Sequence, residues 1–593
     1  MPGTVFHAFD WGVLASYLGV LLAVGLWQKR RAKGVDDYFV SGRKLSWWVA
    51  GTSMIAASFA SDTPLLVSGL VRSKGVWGNW QWWGLGISTV LTVFFFARLW
   101  RRARVITEAE LAEIRYSGKS AAILRGGRAI WFGVLYNCFA AGAWSVAGLA
   151  KVLGAVTGID RPIAILACAS IGAVYAVASG LWGLVATDCV QFVVALLGSV
   201  MVAWFALSAA GGLGAVVASV PEEKLAIVPL EGPGLEFLLP FVLVQWWAWK
   251  NTDGGGVLVQ RMAACRDERH AVWATLWFNV AHYAIRSWPW ILVGLASIAL
   301  VPDAALPRLA SGAPDHESAY AQVIVRCVPI GLRGLVIAWF VAEFMSAITQ
   351  AMNWGGSMLV NDVYRRFLRP HASERHTLAV SRALTVVIMA GAVLTAFLSD
   401  DIARSFNYVL QGTAAVGVVS ALRWLWWRVN AWSEMGAMVA SPVFTFLFAR
   451  PIVSALGLPD SPMSSLLVVV LGSTAVVLAV TFLTPADDPA RLEEFYRRVR
   501  PPGPGWRRVA ARCAGVRPDS GLGLVAAQWA AGVVLVFSAM IGLGSLLLGN
   551  VIGGLAGVGL AIALVIPLRA MMRRAEGARA ARSPEIASEG IPA

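Results

Sequence analysis

Charge is scarce in this chain: Asp, Glu, Lys and Arg make up 14% of its 593 residues, and 58% are hydrophobic, whereas a soluble domain carries about 25% charged residues. That shortage excludes an ordinary soluble protein and points to an integral membrane protein. Also missing is any basic stretch ahead of the first apolar run. Lys29, Arg30, Arg31 and Lys33 follow that run instead, so a cleavable leader is not expected and the N-terminus is expected outside. The six cysteines, Cys138, Cys168, Cys189, Cys265, Cys327 and Cys513, lack paired spacing, which suggests neither a disulfide framework nor a zinc site and leaves them as packing residues. No GxxxxGK[ST] occurs, so nothing suggests nucleotide drive. The longest polar segment, 485–520, is Pro- and Arg-rich and too short for a catalytic domain. The tail beyond Met572 is short and basic, which speaks against a signalling domain and for disorder.

What remains is apolar runs. Read at about 20 residues each, they fall near 9–28, 46–71, 78–100, 129–157, 161–181, 185–211, 236–262, 270–302, 332–364, 379–399, 404–427, 430–450, 464–484, 522–547 and 550–571, which makes about fifteen transmembrane helices. Alternating sides from an outside N-terminus places LWRRARV, RGGR, QRMAACRDER, VYRRFLRP, FYRRVRPPGPGWRR and RAMMRRAEGARAAR in the cytoplasm. Topology thereby accounts for the net charge of +15, and nucleic acid is not an expected partner.

Two of these runs are interrupted. SMIAASFASDTPLLVSG carries Ser61, Asp62, Thr63 and Pro64 at its centre. Pro64 removes a backbone donor and crowds the preceding turn, exposing backbone polar groups around 60–63. FVLVQWWAWKNTDGGGVLVQR is split by Lys250, Asn251, Asp253 and three glycines. The two breaks lie five spans apart, so the second broken helix runs opposite to the first. Spans 2 to 6 and 7 to 11 then read as inverted repeats, a 5+5 core whose repeats each begin with a discontinuous helix, and such paired breaks point to a midplane ion and solute site. The bland reading of the first break is an N-cap with Pro64 at the first helical position. For the second it is an extended loop near an interface. On the repeat reading the chain divides into an N-terminal helix and loop (1–45), repeat 1 (46–211), repeat 2 (236–427), additional helices (428–572) around a cytoplasmic connector (485–520), and a basic tail (573–593).

The ninth span carries Glu343, Ser346, Gln350, Asn353 and Ser357 at spacings of three and four, hence on one helical face. Ala347, Ala351 and Gly355 keep an adjoining strip small enough for close helix approach. A hydroxyl beside exposed carbonyls suits a hard cation such as sodium. The alternative is that Ser, Gln and Asn tie helices together. Lys151, Asp188, His282, Arg286 and Glu343 are further ionisable groups expected inside the membrane. Asp188 either passes ions inward or caps its helix, Lys151 and Arg286 are expected to pair with carboxylates or reach an interface, and His282 is expected to be packed.

DYFVSGRKLSWW, ASDTP, TEAELAEIRY, GLWGLVATDCVQF, VQRMAACRDERHA and SMLVNDVYRRF, in this order over roughly residues 9–450, resemble the solute:sodium symporter family, whose fold is the leucine-transporter type of inverted repeat. The resemblance implies a sodium cage built from the first broken helix and the helix facing it. Carried onto this sequence, it makes Ala60 and Thr63 carbonyl donors, Asp62 a nearby charge, Glu343 a carbonyl donor and Ser346 a hydroxyl ligand. Ala347 departs from the family pattern, where a second hydroxyl is common, and water or Asp188 would have to substitute. Glu343 also departs from it, a small residue being usual, and its side chain would suit proton coupling. The same likeness puts the solute between the broken helices, with Asn79, Gln81, Gln245, Asn407 and Gln411 as polar candidates and Trp246, Trp247 and Trp249 as stacking or gating rings. With 28 tryptophans in the chain, an interfacial aromatic belt is the competing reading of any one of them.

The function expected is sodium-coupled symport of a small organic solute by alternating access, with no cofactor besides the coupling ion, in the cell (inner) membrane with the C-terminus cytoplasmic. The rivals are a proton-coupled carrier on the same fold, a membrane-embedded transferase using His282 as base, a sensor on a transporter scaffold, and a channel.

Overall fold

The structure, a computed structural model, describes residues 6–28, 44–58, 60–105, 107–178, 181–516 and 521–580. Lys29, Arg30, Arg31, Lys33, the front of DYFVSGRKLSWW, Phe59 and the end of the basic tail lie outside the described residues. Within them the chain is all-helical apart from two isolated bridges, Leu45 with Cys265 and Arg308 with Pro314. Helix is the form an apolar run takes where the backbone has no water to bond.

The first helix, α1 (Ala8–Gln28), precedes the interrupted span, which forms as α2 (Trp47–Ala57) and α3 (Thr63–Ser73). Next come α4 (Val76–Trp83) and α5 (Gly86–Ala103), bent by 42° at their junction. Then follow α6 (Gly118–Thr157), α7 (Arg161–Ala178) and α8 (Leu181–Ala209). The second interrupted span forms as α9 (Gly232–Gln245) and α10 (Val257–Ala264) around an irregular segment, 246–256. Beyond it run α11 (Glu268–Leu300), α12 (Ser318–Cys327), α13 (Leu332–Leu368) and α14 (Glu374–Leu398). The eleventh expected span is also divided, into α15 (Ile402–Gly412) and α16 (Ala414–Leu425). The chain ends with α17 (Ala431–Ala455), α18 (Pro462–Leu483), the amphipathic α19 (Pro489–Val499), α20 (Leu522–Leu547) and α21 (Val551–Ala580).

Nine helices among the described residues are long and apolar enough to cross a membrane, ten if the α4–α5 pair is one span. The fifteen runs read from the sequence exceed that count partly because α2/α3, α9/α10 and α15/α16 are each too short once broken.

As far as the described residues reach, the six basic clusters meet at one end of the bundle. Arg102 pairs with Glu268 at 2.7 Å and donates to the Val499 carbonyl, and Arg269 faces Glu576 at 3.8 Å. Arg125 and Arg366 share Glu113 at 2.7 and 2.9 Å. Arg115 lies over the Trp506 ring at 4.7 Å. The tryptophans do not form only a belt: Trp83, Trp100, Trp288, Trp290, Trp339, Trp424 and Trp506 are fully buried, filling helix contacts inside the bundle.

Candidate functional site

The first break spans 58–62, between the C-cap Ser58 and the N-cap Asp62, whose side chain makes no capping bond. Pro64 occupies the first turn of α3, where its missing N–H costs nothing. Arg286 of α11 holds the open end of α2, donating to the carbonyls of Ile55 at 2.9 Å and Ser58 at 2.5 Å. Ser61 donates to the Ser145 carbonyl of α6 at 2.9 Å. There α6 runs as wide π-type turns at Trp131–Tyr136 and Ala141–Val146, geometry frequent at functional sites.

The second break is held differently. Asp253 accepts from Arg423 at 2.6 Å and from the Trp424 indole at 2.7 Å, while Glu108 accepts from the Gly256 N–H at 2.5 Å. Arg423 and Arg128 both engage Glu434, at 3.3 and 2.6 Å, so the glycine-rich turn is anchored into a buried ion network. Gly254 and Gly256 have φ of +79° and +76°, a region open to glycine without strain.

Both breaks wall one cavity of about 280 Å³. Ala60, Asp62 and Thr63 line it from the first, Trp249, Lys250 and Asn251 from the second, with Ala347, Gln350 and Trp354 of α13 beside them. Tyr136, Asn137, Trp144, His282 and Phe406 complete much of the wall. Asp62 is buried and its Oδ1 has no hydrogen-bond partner in the protein.

The other candidates take up different places. Ser346 donates to Asp188 at 2.8 Å, and Asp188 also accepts from Ser53 of α2 and faces Arg261 at 3.9 Å. Glu343 accepts from the Trp339 indole, and its second oxygen is unpartnered. Of the solute candidates, Trp249 lines the cavity, its indole donating to Ser88 at 2.9 Å. Asn79, Gln81, Gln245, Trp246, Trp247, Asn407 and Gln411 stand outside the lining. Gln81 donates to Asn407 at 3.0 Å, linking α4 to α15. Asn79 accepts from the Trp82 indole, Gln245 donates to the Ala248 carbonyl, Trp246 packs on Trp529 and Trp247 donates to the Leu243 carbonyl. Lys151 pairs with Asp315 and Glu317 at 3.0 and 2.6 Å, as expected of an intramembrane lysine. His282 packs among Trp82, Phe278 and Tyr283. Sequence reasoning did not single out Tyr136 or Asn137, since nothing in a hydrophobic run marks where a helix widens. Lys250 was visible as part of the break but not as a wall of the cavity.

The model of the sodium:solute symporter family matches residues 38–443. The chain is 25% identical to a sodium/glucose cotransporter of Vibrio parahaemolyticus over 80% of this chain and 91% of that protein. It is 26% identical to the sodium/mannose cotransporter SLC5A10 of Bos taurus, over 83% and 90% respectively. A solved substrate-bound outward-open state of a Na+-coupled sialic acid symporter has the same fold, with a TM-score of 0.63 at 19% identity over 82% of this chain and 99% of that one.

Proposed function

The chain belongs to the sodium:solute symporter family, a multi-pass membrane transporter rather than an enzyme, and from that membership we propose that it carries a small organic solute inward with sodium by alternating access. One observation supports this above the rest: the two interruptions, far apart in sequence, wall a single cavity, the arrangement inverted repeats produce at a shared ion and solute site. Residues 46–211 and 236–427 are the repeats on this reading. The basic end of the bundle is cytoplasmic, with the N-terminus outside.

The ion sits between the first break and α13. Ala60, Thr63 and the free oxygen of Asp62 approach it from one side, Glu343, Ser346 and Ala347 from the other, and Asp188 stands behind Ser346 as the balancing charge. The solute occupies the aromatic part of the cavity against Trp249, while the Gln81–Asn407 bridge and the Trp246 and Trp247 rings lie along the elements that move. Asn79, Gln245 and Gln411 support those elements. Inward movement of one positive charge draws about 2.3 kcal/mol per 100 mV, enough to bias the cycle without ATP.

A proton in place of sodium is the second reading, favoured by two features. Arg286 already places a cation on the carbonyls of Ile55 and Ser58, and Asp62 and Glu343 each keep a buried oxygen without a partner. Proteoliposomes loaded with potassium buffer, given either an inward sodium gradient or an inward proton gradient, decide between them. Accumulation that follows sodium and survives a protonophore supports sodium coupling. Accumulation that follows only the proton gradient overturns it.

A further inference from the structure

Lys250 lies in the second break with its side chain almost wholly buried on the wall of the cavity. Its ammonium has three hydrogens to donate, and one is satisfied by the Asn251 side-chain oxygen at 2.8 Å. Around it stand aromatic faces, with Tyr136 at 4.1 Å, Trp354 at 4.9 Å and Phe132 at 5.8 Å from ring centroid to Nζ. Among the described residues no carboxylate comes within 4.0 Å of it. Glu108 and Asp253, whose charges reach it through space, pair directly with Arg128 and Arg423, which also share Glu434. Other buried cations are answered otherwise, among them Lys151 by two acids, Arg261 by Asp188 and Arg286 by carbonyls. A buried charge without a paired anion is costly. Ring faces offset part of that cost, and the remaining donors have the cavity beside them.

We propose that the Lys250 ammonium receives the carboxylate of the transported solute, so that the chain carries a small organic carboxylate with an apolar body. The inference rests on the cavity being the solute chamber. The wall supports the class from three sides. Trp144, Trp249, Trp354, Phe278 and Phe406 present rings to the body of the solute. Among the described residues Asp62 is the one acidic side chain in the lining, and with it assigned to the coupling ion none of these is left to receive a solute ammonium. Sodium at Asp62 and a carboxylate at Lys250 also neutralise the cavity pairwise. This sets the chain apart from sugar and inositol cotransporters among its relatives, whose named solutes are uncharged.

The test uses the full chain purified in detergent, at constant sodium, with butyrate, benzoate, L-proline, glucose and myo-inositol as probes and thermal shift as readout. Butyrate or benzoate should stabilise the wild type and the neutral polyols should not. Lys250→Met should weaken carboxylate binding about 10- to 100-fold, the loss of a charge-assisted contact. Lys250→Arg, which keeps the charge, should retain most of it, and the unliganded melting temperatures show whether each variant is folded. Glucose or inositol stabilising the wild type in place of carboxylates overturns the proposal. Proline binding without butyrate or benzoate, no carboxylate binding at all, or undiminished carboxylate binding by folded Lys250→Met does the same. Carboxylate binding through Lys250 without sodium- or proton-driven uptake in vesicles would uphold only the carboxylate site at Lys250, sinking the transport reading and with it the claim that the bound carboxylate is carried. Driven glucose uptake without carboxylate binding would do the reverse.

Discussion

Ser346 donates its hydroxyl proton to Asp188 across 2.8 Å. Because Asp188 also accepts from Ser53, α13 and the first half of the broken span are joined through one carboxylate. A hydroxyl engaged in this way still has lone pairs to offer a cation, and Asp188 supplies the charge behind it. Ser346→Ala is expected to raise the sodium concentration for half-maximal uptake about tenfold, the worth of a contact to a charged group, measured by sodium titration of vesicle uptake. Asp188→Asn leaves Arg261 buried without its anion and is expected to cost about 3–5 kcal/mol of stability, read by thermal melting. An unchanged sodium titration in Ser346→Ala would remove Ser346 from the ion site.

Arg286 gives a second prediction. Its two bonds to Ile55 and Ser58 satisfy carbonyls that the break leaves open, and Arg286→Met removes both. The expected loss is about 3 kcal/mol, two charge-assisted bonds at the low end of their range. Arg286→Lys, which keeps the charge but not the planar fork, should fall between wild type and Met. Removing this built-in cation should also lower the sodium concentration needed for uptake, because the charge of Arg286 acts on both Asp62 and Glu343 and opposes a second cation beside them. A sodium titration of folded Arg286→Lys and Arg286→Met checks the sign.

Much of this arrangement is legible in the sequence, because Pro64 and the run from Lys250 to Gly256 mark breaks by local chemistry alone. The basic clusters likewise announce a common side, and the structure gathers them at one end. Partners across the bundle are another matter. That Thr107 of TEAELAEIRY would meet Asp362 of SMLVNDVYRRF at 2.5 Å follows from three-dimensional packing and from no spacing. The family likeness makes the polar residues Asn79, Gln245 and Asn407 solute candidates, yet they bond to α4, to the adjoining turn and to Gln81. Polarity inside a membrane is used as often for joining helices as for receiving ligands.

Outside the spans, Glu113 gives a pH prediction. Burial alone would raise its carboxyl, but hydrogen bonds and charge from Arg366 and Arg125 outweigh it and hold the group below the ordinary glutamate value. A carboxyl depressed in the folded state contributes stability above its unfolded value, near about 4.3, and that contribution is lost as pH falls through the folded value. Glu113→Gln is therefore expected to lower the melting temperature at pH 7 by about 1–2 °C, small because the site is partly exposed. Its melting temperature should also decline less steeply below about pH 4.3 than that of the wild type. Parallel acid limbs in the two proteins would show that the Arg366–Glu113–Arg125 contact adds nothing.

The closeness of α6 to the first break gives the last prediction. A methyl group added at Gly148 would lie 2.8 Å from the Cα of Asp62 and 2.9 Å from its backbone nitrogen, so it meets backbone that cannot rotate aside. Gly417 of α16 stands in the same relation to the backbone of Trp249 at the second break, so a glycine covers each interruption. By contrast, a methyl at Gly127, on the same helix as Gly148, meets nothing within 4 Å. Overpacking of this kind costs about 1–3 kcal/mol, and here the displacement falls on the segment offered to the ion. Gly148→Ala and Gly417→Ala are expected to fold with lowered melting temperature and to lose uptake about tenfold or more, since 1.4 kcal/mol is already a factor of ten. Gly127→Ala should match the wild type in both measurements. If Gly148→Ala transports normally, the first break does not need its present distance from α6, and the ion site cannot depend on the position of Asp62 there.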